Sequence, residues 1–427
     1  MARGDLLLGL DIGTTKVAAV VAERGPEGPV LLGAGRAPSR GLRRGVVIDL
    51  DETVAAIEAA VAEASPPEAG RAPGAAYVGI TGEHVQCLRS RGAVSINRPE
   101  RRVVYEDVQR VLRAAAQSVT LPADREIIHC LPHGFTVDGQ EGVRNPLGLA
   151  GGRLEVATLL VTGQSNLIQN VVRAAERAGL EVEEVVLEPL ATADAVLTRA
   201  ETELGVALLD IGGGTTDYAV LRGGSLVAAG AVPVGGELVT RDLAFGLRTV
   251  PEEAEKLKLA AGIARLGRAE ADELLEVHSA GGTEARGVPR RRLAEIIEPR
   301  MRELLSLSGR ALSEAGFRSE LSAGVVLTGG GSLLPGTLEL AAEVLGCEVR
   351  LGRPERVAGI EALAQPDGEA GAAASPTMAT AVGLVCYGAQ ERTAWEGRSP
   401  RPGNVARRRL RVSIDRLWHA IRDLFPG

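Results

Sequence analysis

Paired cysteines are missing from this chain of 427 residues. Its four cysteines, Cys87, Cys130, Cys347 and Cys386, lie far apart, which suits reduced thiols in a cytoplasmic protein and excludes a disulfide framework or a zinc site on closely spaced thiols. Long apolar runs are missing too. No stretch approaches the roughly 18 apolar residues that a membrane-spanning helix needs. The apolar run within Met1–Leu10 is too short for a signal peptide, so the chain is expected to be neither secreted nor transmembrane. Excess positive charge is absent: the formal net charge is −7, which argues against nucleic acid as a partner. Lysine is scarce, with only Lys16, Lys256 and Lys258 among 48 basic residues. A compact ammonium is not equivalent to arginine's planar fork, so these three mark places where a point charge is wanted. Aromatic residues make up only 2% of the chain.

What is present reads as a globular protein of two or more domains, since one core does not grow to this length. Leu6–Leu10 and Lys16–Ala22 form two apolar strands around a Gly-Thr turn. Val206–Asp210 and Asp217–Leu221 repeat the pattern about two hundred residues later, which indicates an internal duplication. Asp51–Ala64, Ser165–Ala178, Glu252–Leu259, Leu293–Ala315 and Thr337–Leu345 carry helical periodicity. Strands alternating with such helices indicate an α/β architecture. Residues 82–163 break the rhythm with strands around a helix near Tyr105–Ser118 and read as an inserted subdomain. Gln365–Pro376 is a Gly/Ala-rich loop, and residues 391–404 a linker.

The chemistry sits in the glycine turns. Asp11-Ile12-Gly13-Thr14-Thr15 offers backbone N–H groups at Gly13, Thr14 and Thr15 to phosphate oxygens, and Lys16 adds a charge. Asp210-Ile211-Gly212-Gly213-Gly214-Thr215-Thr216-Asp217 is more specific, because three glycines between β-branched strands weaken a sheet. Asp11 and Asp210 would face each other across a cleft and hold Mg²⁺ through its waters. Val325–Thr328 runs into a third turn, Gly329-Gly330-Gly331-Ser332, whose bare backbone admits a ring or a phosphate. Gly235-Gly236 forms a fourth. His129 and His133 have metal-like spacing, but in a strand residues i and i+4 lie ~13 Å apart.

These motifs resemble the actin/Hsp70/hexokinase superfamily, and within it the bacterial cell-division family FtsA, over nearly the whole chain. DIGTTK at 11–16 and DIGGGTTD at 210–217 resemble the two phosphate loops, and VVLTGGGSLLPG at 325–336 the adenosine motif. LEPLATADAVL at 187–197 and MATAVGLVCYG at 378–388 resemble the connecting helices. Ala254–Lys258 resembles the Ala-Glu-x-x-Lys helix over the nucleoside, which implies Glu255 and Lys258 as ribose or base contacts. Glu188 matches the position that orients water, so slow hydrolysis is the most that is implied. The implied ATP site is Gly13, Thr14, Thr15, Lys16, Gly213, Gly214, Thr215, Thr216, Gly235, Gly236, Glu255, Lys258, Gly329, Gly330, Gly331 and Ser332, with Mg²⁺ at Asp11 and Asp210. Segment 82–163 resembles the family's own insert. Ile296–Arg300 opens a helix resembling its docking site for the C-terminal tail of FtsZ, with Arg300 as anchor.

The resemblance implies a two-domain actin-like (ribonuclease H-like) α/β fold with an inserted α+β subdomain. Its parts are a first core (1–81, 164–203 and 377–390), the insert, a second core (204–250 and 305–364) with a small subdomain (251–304), the linker, and a C-terminal helix (405–427). On that helix Leu410, Ile414, Leu417, Trp418, Ile421, Leu424 and Phe425 fall within an arc of roughly 120°. Six arginines against Asp415 and Asp423 give the segment +4 and leave −11 for the rest. A basic amphipathic helix with aromatic anchors lies in a membrane interface. The expectation is an ATP-binding, self-polymerising protein that tethers FtsZ filaments to anionic lipid on the inner face of the cell membrane and meets other division proteins. The alternatives are a sugar-type kinase of the same superfamily and a PilM-like pilus-assembly protein.

Overall fold

A computed structural model describes residues 6–65, 75–268, 273–279, 285–316, 321–355, 357–361 and 372–393. The first half opens with β1 (Leu6–Ile12), β2 (Lys16–Gly25) and β3 (Gly28–Pro38), a small hairpin of β4 (Leu42–Arg43) and β5 (Val46–Val47), and helix α1 (Leu50–Ala64). After β6 (Ala75–Ile80) the chain leaves for β7 (Gln86–Ser95), α2 (Tyr105–Gln117), β8 (Arg125–Val137), β9 (Gln140–Val143) and β10 (Arg153–Gln164). It returns through α3 (Ser165–Arg177), β11 (Glu181–Leu187), α4 (Glu188–Val196) and α5 (Arg199–Leu204). The second half runs β12 (Val206–Ile211), β13 (Thr216–Arg222), β14 (Ser225–Val232), α6 (Gly236–Leu247), α7 (Pro251–Ala261), β15 (Leu274–His278), β16 (Ala285–Pro289) and α8 (Arg290–Glu314). It ends with β17 (Val325–Thr328), α9 (Thr337–Leu345), β18 (Val349–Leu351) and α10 (Ala379–Thr393).

Two five-stranded sheets carry the same order. One is β11-β6-β1-β2-β3 and the other β18-β17-β12-β13-β14. In each, the first three strands of the half are antiparallel and the remaining two join parallel to the first. The expected duplication is therefore a duplication of topology, and the two glycine loops fall at the same place in each half, between the first strand and the second. β1 and β12 are apolar on both faces because helices cover both sides.

The halves share one core. Tyr77 and Leu7 of the first sheet, Val206 and Leu208 of the second, and the buried faces of α4 and α10 form a single cluster. Contact between the two connecting helices is close: a Cβ at Gly383 would lie 1.9 Å from the carbonyl oxygen of Ala191. The insert has its own core of Phe135, Leu112, Val111 and Leu160 beneath the sheet β7-β10-β8-β9.

Three expectations shift. Ile296–Arg300 does not open a helix; α8 begins at Arg290 and carries Pro299 inside it, because a proline forfeits one backbone bond without ending a helix that packing holds. The same helix runs unbroken across the expected division at residue 304. α10 continues to Thr393, into the expected linker. Residues 394–427, with Leu410, Ile414, Leu417, Trp418, Ile421, Leu424 and Phe425, lie outside the described residues, as does 362–371 of the glycine-alanine loop. No helix among the described residues is long and apolar enough to cross a membrane.

Candidate nucleotide site

The loops at residues 12–16 and 211–216 are hairpin tips that meet across the cleft. Gly13 N–H closes its turn onto Lys16 O at 2.9 Å, and Gly212 N–H onto Thr215 O at 3.0 Å. That leaves Thr14, Thr15, Gly213 and Gly214 at the tips. A Cβ on Gly213 would lie 2.4 Å from the Thr15 side chain, and one on Gly214 would lie 2.5 Å from Thr14 Oγ1. Glycine is demanded here by the opposite loop. The Gly235-Gly236 turn supports the second loop from behind, with Gly236 N–H donating to Gly212 O and Glu237 N–H to Gly213 O.

Four carboxyl groups converge on this point. Burial pushes Asp11 upward, offset by the ammonium of Lys16, which stands 3.8 Å away. Asp210 keeps a partial opening to the cleft. The packing around its carboxyl and the neighbouring Asp11 still push it up to about 6, against Lys16 and a hydroxyl from Thr380. Burial takes Asp217 up to about 8 even though Thr81 and Thr215 donate to it. Glu188, first residue of α4, is raised well above the carboxylate range by burial and then by Asp11, Asp217 and Asp210. Lys16 also donates to the carbonyl of Thr377, just ahead of α10. Protons held by Asp217 and Glu188 relieve repulsion that the one ammonium does not, and a cation entering the cluster would displace them.

The expected residues divide in two by what they touch. Lys258 is buried; its ammonium reaches Gly236 O at 3.2 Å, Thr240 Oγ1 at 2.8 Å and Glu255 Oε2 at 2.6 Å. That places the lysine and its acid beside the second loop. Gly329 has φ +80°, and a Cβ there would lie 2.2 Å from Asp210 Oδ1. The third glycine turn thus folds around Asp210, and of its three glycines Gly330 is the least crowded, with a Cβ there 3.8 Å from the Thr377 side chain. Ser332 is buried and donates to Gly329 O at 2.7 Å, which ties its hydroxyl into the turn.

Sequence reasoning missed the threonines. Thr81 Oγ1 donates to Asp217 Oδ1 at 2.6 Å across the two halves. Thr380 Oγ1 donates to Asp210 Oδ2 at 3.2 Å and meets Thr192 Oγ1 of the other connecting helix at 2.9 Å. Asp217 closes the quoted motif and was legible there. Thr81, a lone residue after β6, carried no signal. His129 sits in β8 as expected, held neutral by burial at about 4, and accepts from Leu187 N–H at 3.0 Å. Among the described residues no group of histidine, cysteine and acid side chains is placed to hold a metal directly.

Arg300 lies away from the cleft. Its Nε and Nη2 donate to Asp242 at 2.6 and 3.1 Å, and its Nη1 also pairs with Glu303. An incoming carboxylate would share or displace one of these.

Comparison with known proteins shows what carries this geometry. Residues 207–383 match the family described as cell division protein FtsA, and residues 82–162 match the SHS2 domain inserted in FtsA. The cell division protein FtsA of Pseudomonas aeruginosa is 42% identical over 91% of both chains. The chain belongs to the FtsA family of cell-division proteins. FtsA of Escherichia coli K12 is 38% identical over 90% of both chains, and FtsA of Bacillus subtilis 37% identical over 84% of this chain and 80% of its own. The fold is actin-like: MreB5 of Spiroplasma citri bound to AMPPNP superposes with a TM-score of 0.54 at 12% identity, covering 93% of this chain and 98% of its own. A PilM–PilN type IV pilus biogenesis complex chain gives 0.65 at 20% identity, covering 91% and 99%. At such identities the likeness shows fold alone, whereas these FtsA relatives match in sequence over 84–91% of this chain.

Proposed function

We propose that the cleft binds ATP with Mg²⁺ and that the chain works as a nucleotide-gated adaptor of the division machinery, holding FtsZ filaments at the membrane. The observation that carries this reading is the pair of hairpin tips touching above four carboxyl groups, with Lys16 beside Asp11. Thr14, Thr15, Gly213 and Gly214 would present backbone N–H groups to the phosphates, and Lys16 and Lys258 would flank them. Asp11 and Asp210 would hold the ion through its waters, which shifts both toward their charged forms. Bound magnesium supplies charge neutralisation between phosphates and carboxylates. Glu188 would orient a water on the same side, supporting slow turnover at most.

Two further surfaces extend the reading. The α6–α8 face holds Arg300 beside Asp242, and Phe245 on α6 is 89% exposed. An acidic, apolar tail such as that of FtsZ would set its hydrophobic residue on Phe245 and its carboxylate on Arg300. Residues 405–427 would lie in the lipid interface. Half-burying seven apolar side chains yields about 5–10 kcal/mol before helix ordering is charged against it, so one copy binds reversibly and a polymer binds firmly.

Co-sedimentation tests the whole. The full-length protein with ATP, Mg²⁺ and anionic vesicles is expected to pellet and to carry an FtsZ tail peptide with it. The 1–404 truncation is expected to stay in the supernatant. Equal pelleting of the truncation would sink the membrane assignment. Rapid ATP consumption on adding a sugar would favour the kinase alternative.

A further inference from the structure

The parallel strands β1, β6 and β11 release the chain at one edge of the first sheet, so the loop at residues 12–16, Thr81 and Glu188 all lie there. The C-terminal edge is where open α/β sheets take their ligands. The antiparallel β3 ends at that edge too, with Pro38 opposite Lys16, and Ser39 N–H then donates to Thr15 O at 3.0 Å. From there the chain folds into the hairpin β4–β5, whose tip rests against the far end of the same edge. A Cβ on Gly45 would lie 2.9 Å from Thr81 O, and one on Gly82 would lie 3.3 Å from Arg44 O. In the order β6-β1-β2-β3 that is three strand spacings, about 14 Å. The hairpin therefore spans the two strands whose tip is the first glycine loop.

This hairpin brings cations to the edge. Arg40 leads into it, and Arg43 and Arg44 stand at its tip. All three are exposed, and none is ion-paired or hydrogen-bonded through its side chain among the described residues. Leu42 is buried, and alternation along the strand turns Arg43 to the opposite side. Arg44 and Gly45 both take left-handed backbone, at φ +50° and +77°, a conformation that a residue with a side chain keeps only where its surroundings fix it. Thr81, against the tip, holds Asp217, and a Cβ on nearby Gly79 would lie 2.8 Å from Glu188 Cγ. The free arginines thus stand at the end of the cleft that holds Asp217 and Glu188.

That end is where Glu188 would orient water, and the phosphate that meets the water is the terminal one of a triphosphate. A diphosphate lacks it. The terminal phosphate also carries further negative charge into a cleft already lined by carboxyl groups, and a guanidinium fork suits its oxygens. We propose, resting on the ATP reading of this cleft, that Arg43 and Arg44 at the β4–β5 tip contact the terminal phosphate, with Arg40 adding charge behind them. The hairpin then sets the preference of the cleft for triphosphate over diphosphate.

The test measures dissociation constants of the full-length protein for ATP and for ADP, each with Mg²⁺, by competition against a fluorescent nucleotide. The double variant Arg43→Gln/Arg44→Gln is expected to bind ATP about tenfold more weakly, as loss of charged hydrogen bonds to one phosphate predicts, and ADP within about twofold of the parent. Its unfolding temperature without nucleotide should not change, since neither side chain bonds to the rest of the fold. Arg91→Gln/Arg173→Gln removes two exposed arginines from β7 and α3 and is expected to leave both constants unchanged. Equal loss of ATP and ADP in the hairpin variant, or no loss of either, overturns the proposal and leaves the nucleotide site standing. A matching loss of ATP in the 91/173 variant overturns it as well, since the effect is then one of net charge. A parent that binds neither nucleotide refutes the ATP reading itself, and the role of the hairpin with it.

Discussion

Asp217 binds a proton that most aspartates would have released. Its pKa rises from 3.8 in an ordinary setting to about 8, so around neutral pH the folded state holds a proton that the unfolded chain lacks. Stability contributed this way is present at low pH and falls as pH climbs toward 8. Histidines act in the opposite sense lower down. His129 is pushed down to about 4, and His84 and His133 are also lowered, so their effect is half complete at about pH 6.5 and fades over the next unit. Between pH 6.5 and 8 the raised carboxyls outweigh this fading opposition. The unfolding temperature is expected to fall across that window, with each such proton contributing at most about 1.4 kcal/mol per pH unit. Asp217→Asn removes one titrating group and is expected to flatten the fall, as measured by thermal unfolding at half-unit intervals without nucleotide. An undiminished slope in the variant would contradict the assignment. The loops around Asp217 were legible in the sequence because glycine triplets are improbable inside strands. The hydroxyls of Thr81 and Thr380 were not, since a single threonine looks the same whether or not a carboxyl from another element faces it.

Among the elements, the connecting helices bear the tightest constraint. The carbonyl of Ala191 belongs to the backbone of α4 and cannot step aside for a methyl group on α10. Gly383→Ala is therefore expected to destabilise the fold by about 1–3 kcal/mol through overpacking, seen as a lower midpoint in denaturant with the slope unchanged. On the α6–α8 face, Phe245 is exposed and makes little contribution to the fold. Phe245→Ala should lower affinity for an FtsZ tail peptide by about tenfold and leave the unfolding temperature where it was; unchanged affinity would move the docking site elsewhere. Helix periodicity found α1, α3, α7, α8 and α9 to within a few residues, since each buries one apolar stripe. The family resemblance, not the periodicity, put the docking motif Ile296–Arg300 at the start of a helix. Here Met301, Leu304 and Leu305 after Pro299, and Leu293, Ala294 and Ile297 before it, are all buried, and that packing carries the helix through.

For the whole molecule, two sheets of one topology share a core through α4 and α10, and the two glycine loops are where the halves meet at the surface of that core. The duplication was readable from two copies of an Asp-Ile-Gly strand turn. How the halves grip each other was not, because the grip is between residues 136 positions apart. Thr81 follows β6 in the first half, and its hydroxyl holds Asp217 in the second. If ATP is bound by the closed arrangement, removing this bond lowers the population that can bind and so the apparent affinity. Thr81→Val keeps the side-chain shape and deletes the donor. One hydrogen bond contributes about 1 kcal/mol, so the dissociation constant for a fluorescent ATP analogue should rise about fivefold. The unfolding temperature without nucleotide should fall by only a degree or two, because about 1 kcal/mol is small against the unfolding entropy of a chain this long. Equal affinity in the variant and the parent would mean that the two halves close on ATP without this contact, leaving Thr14, Thr15, Gly213 and Gly214 as the cross-cleft grip.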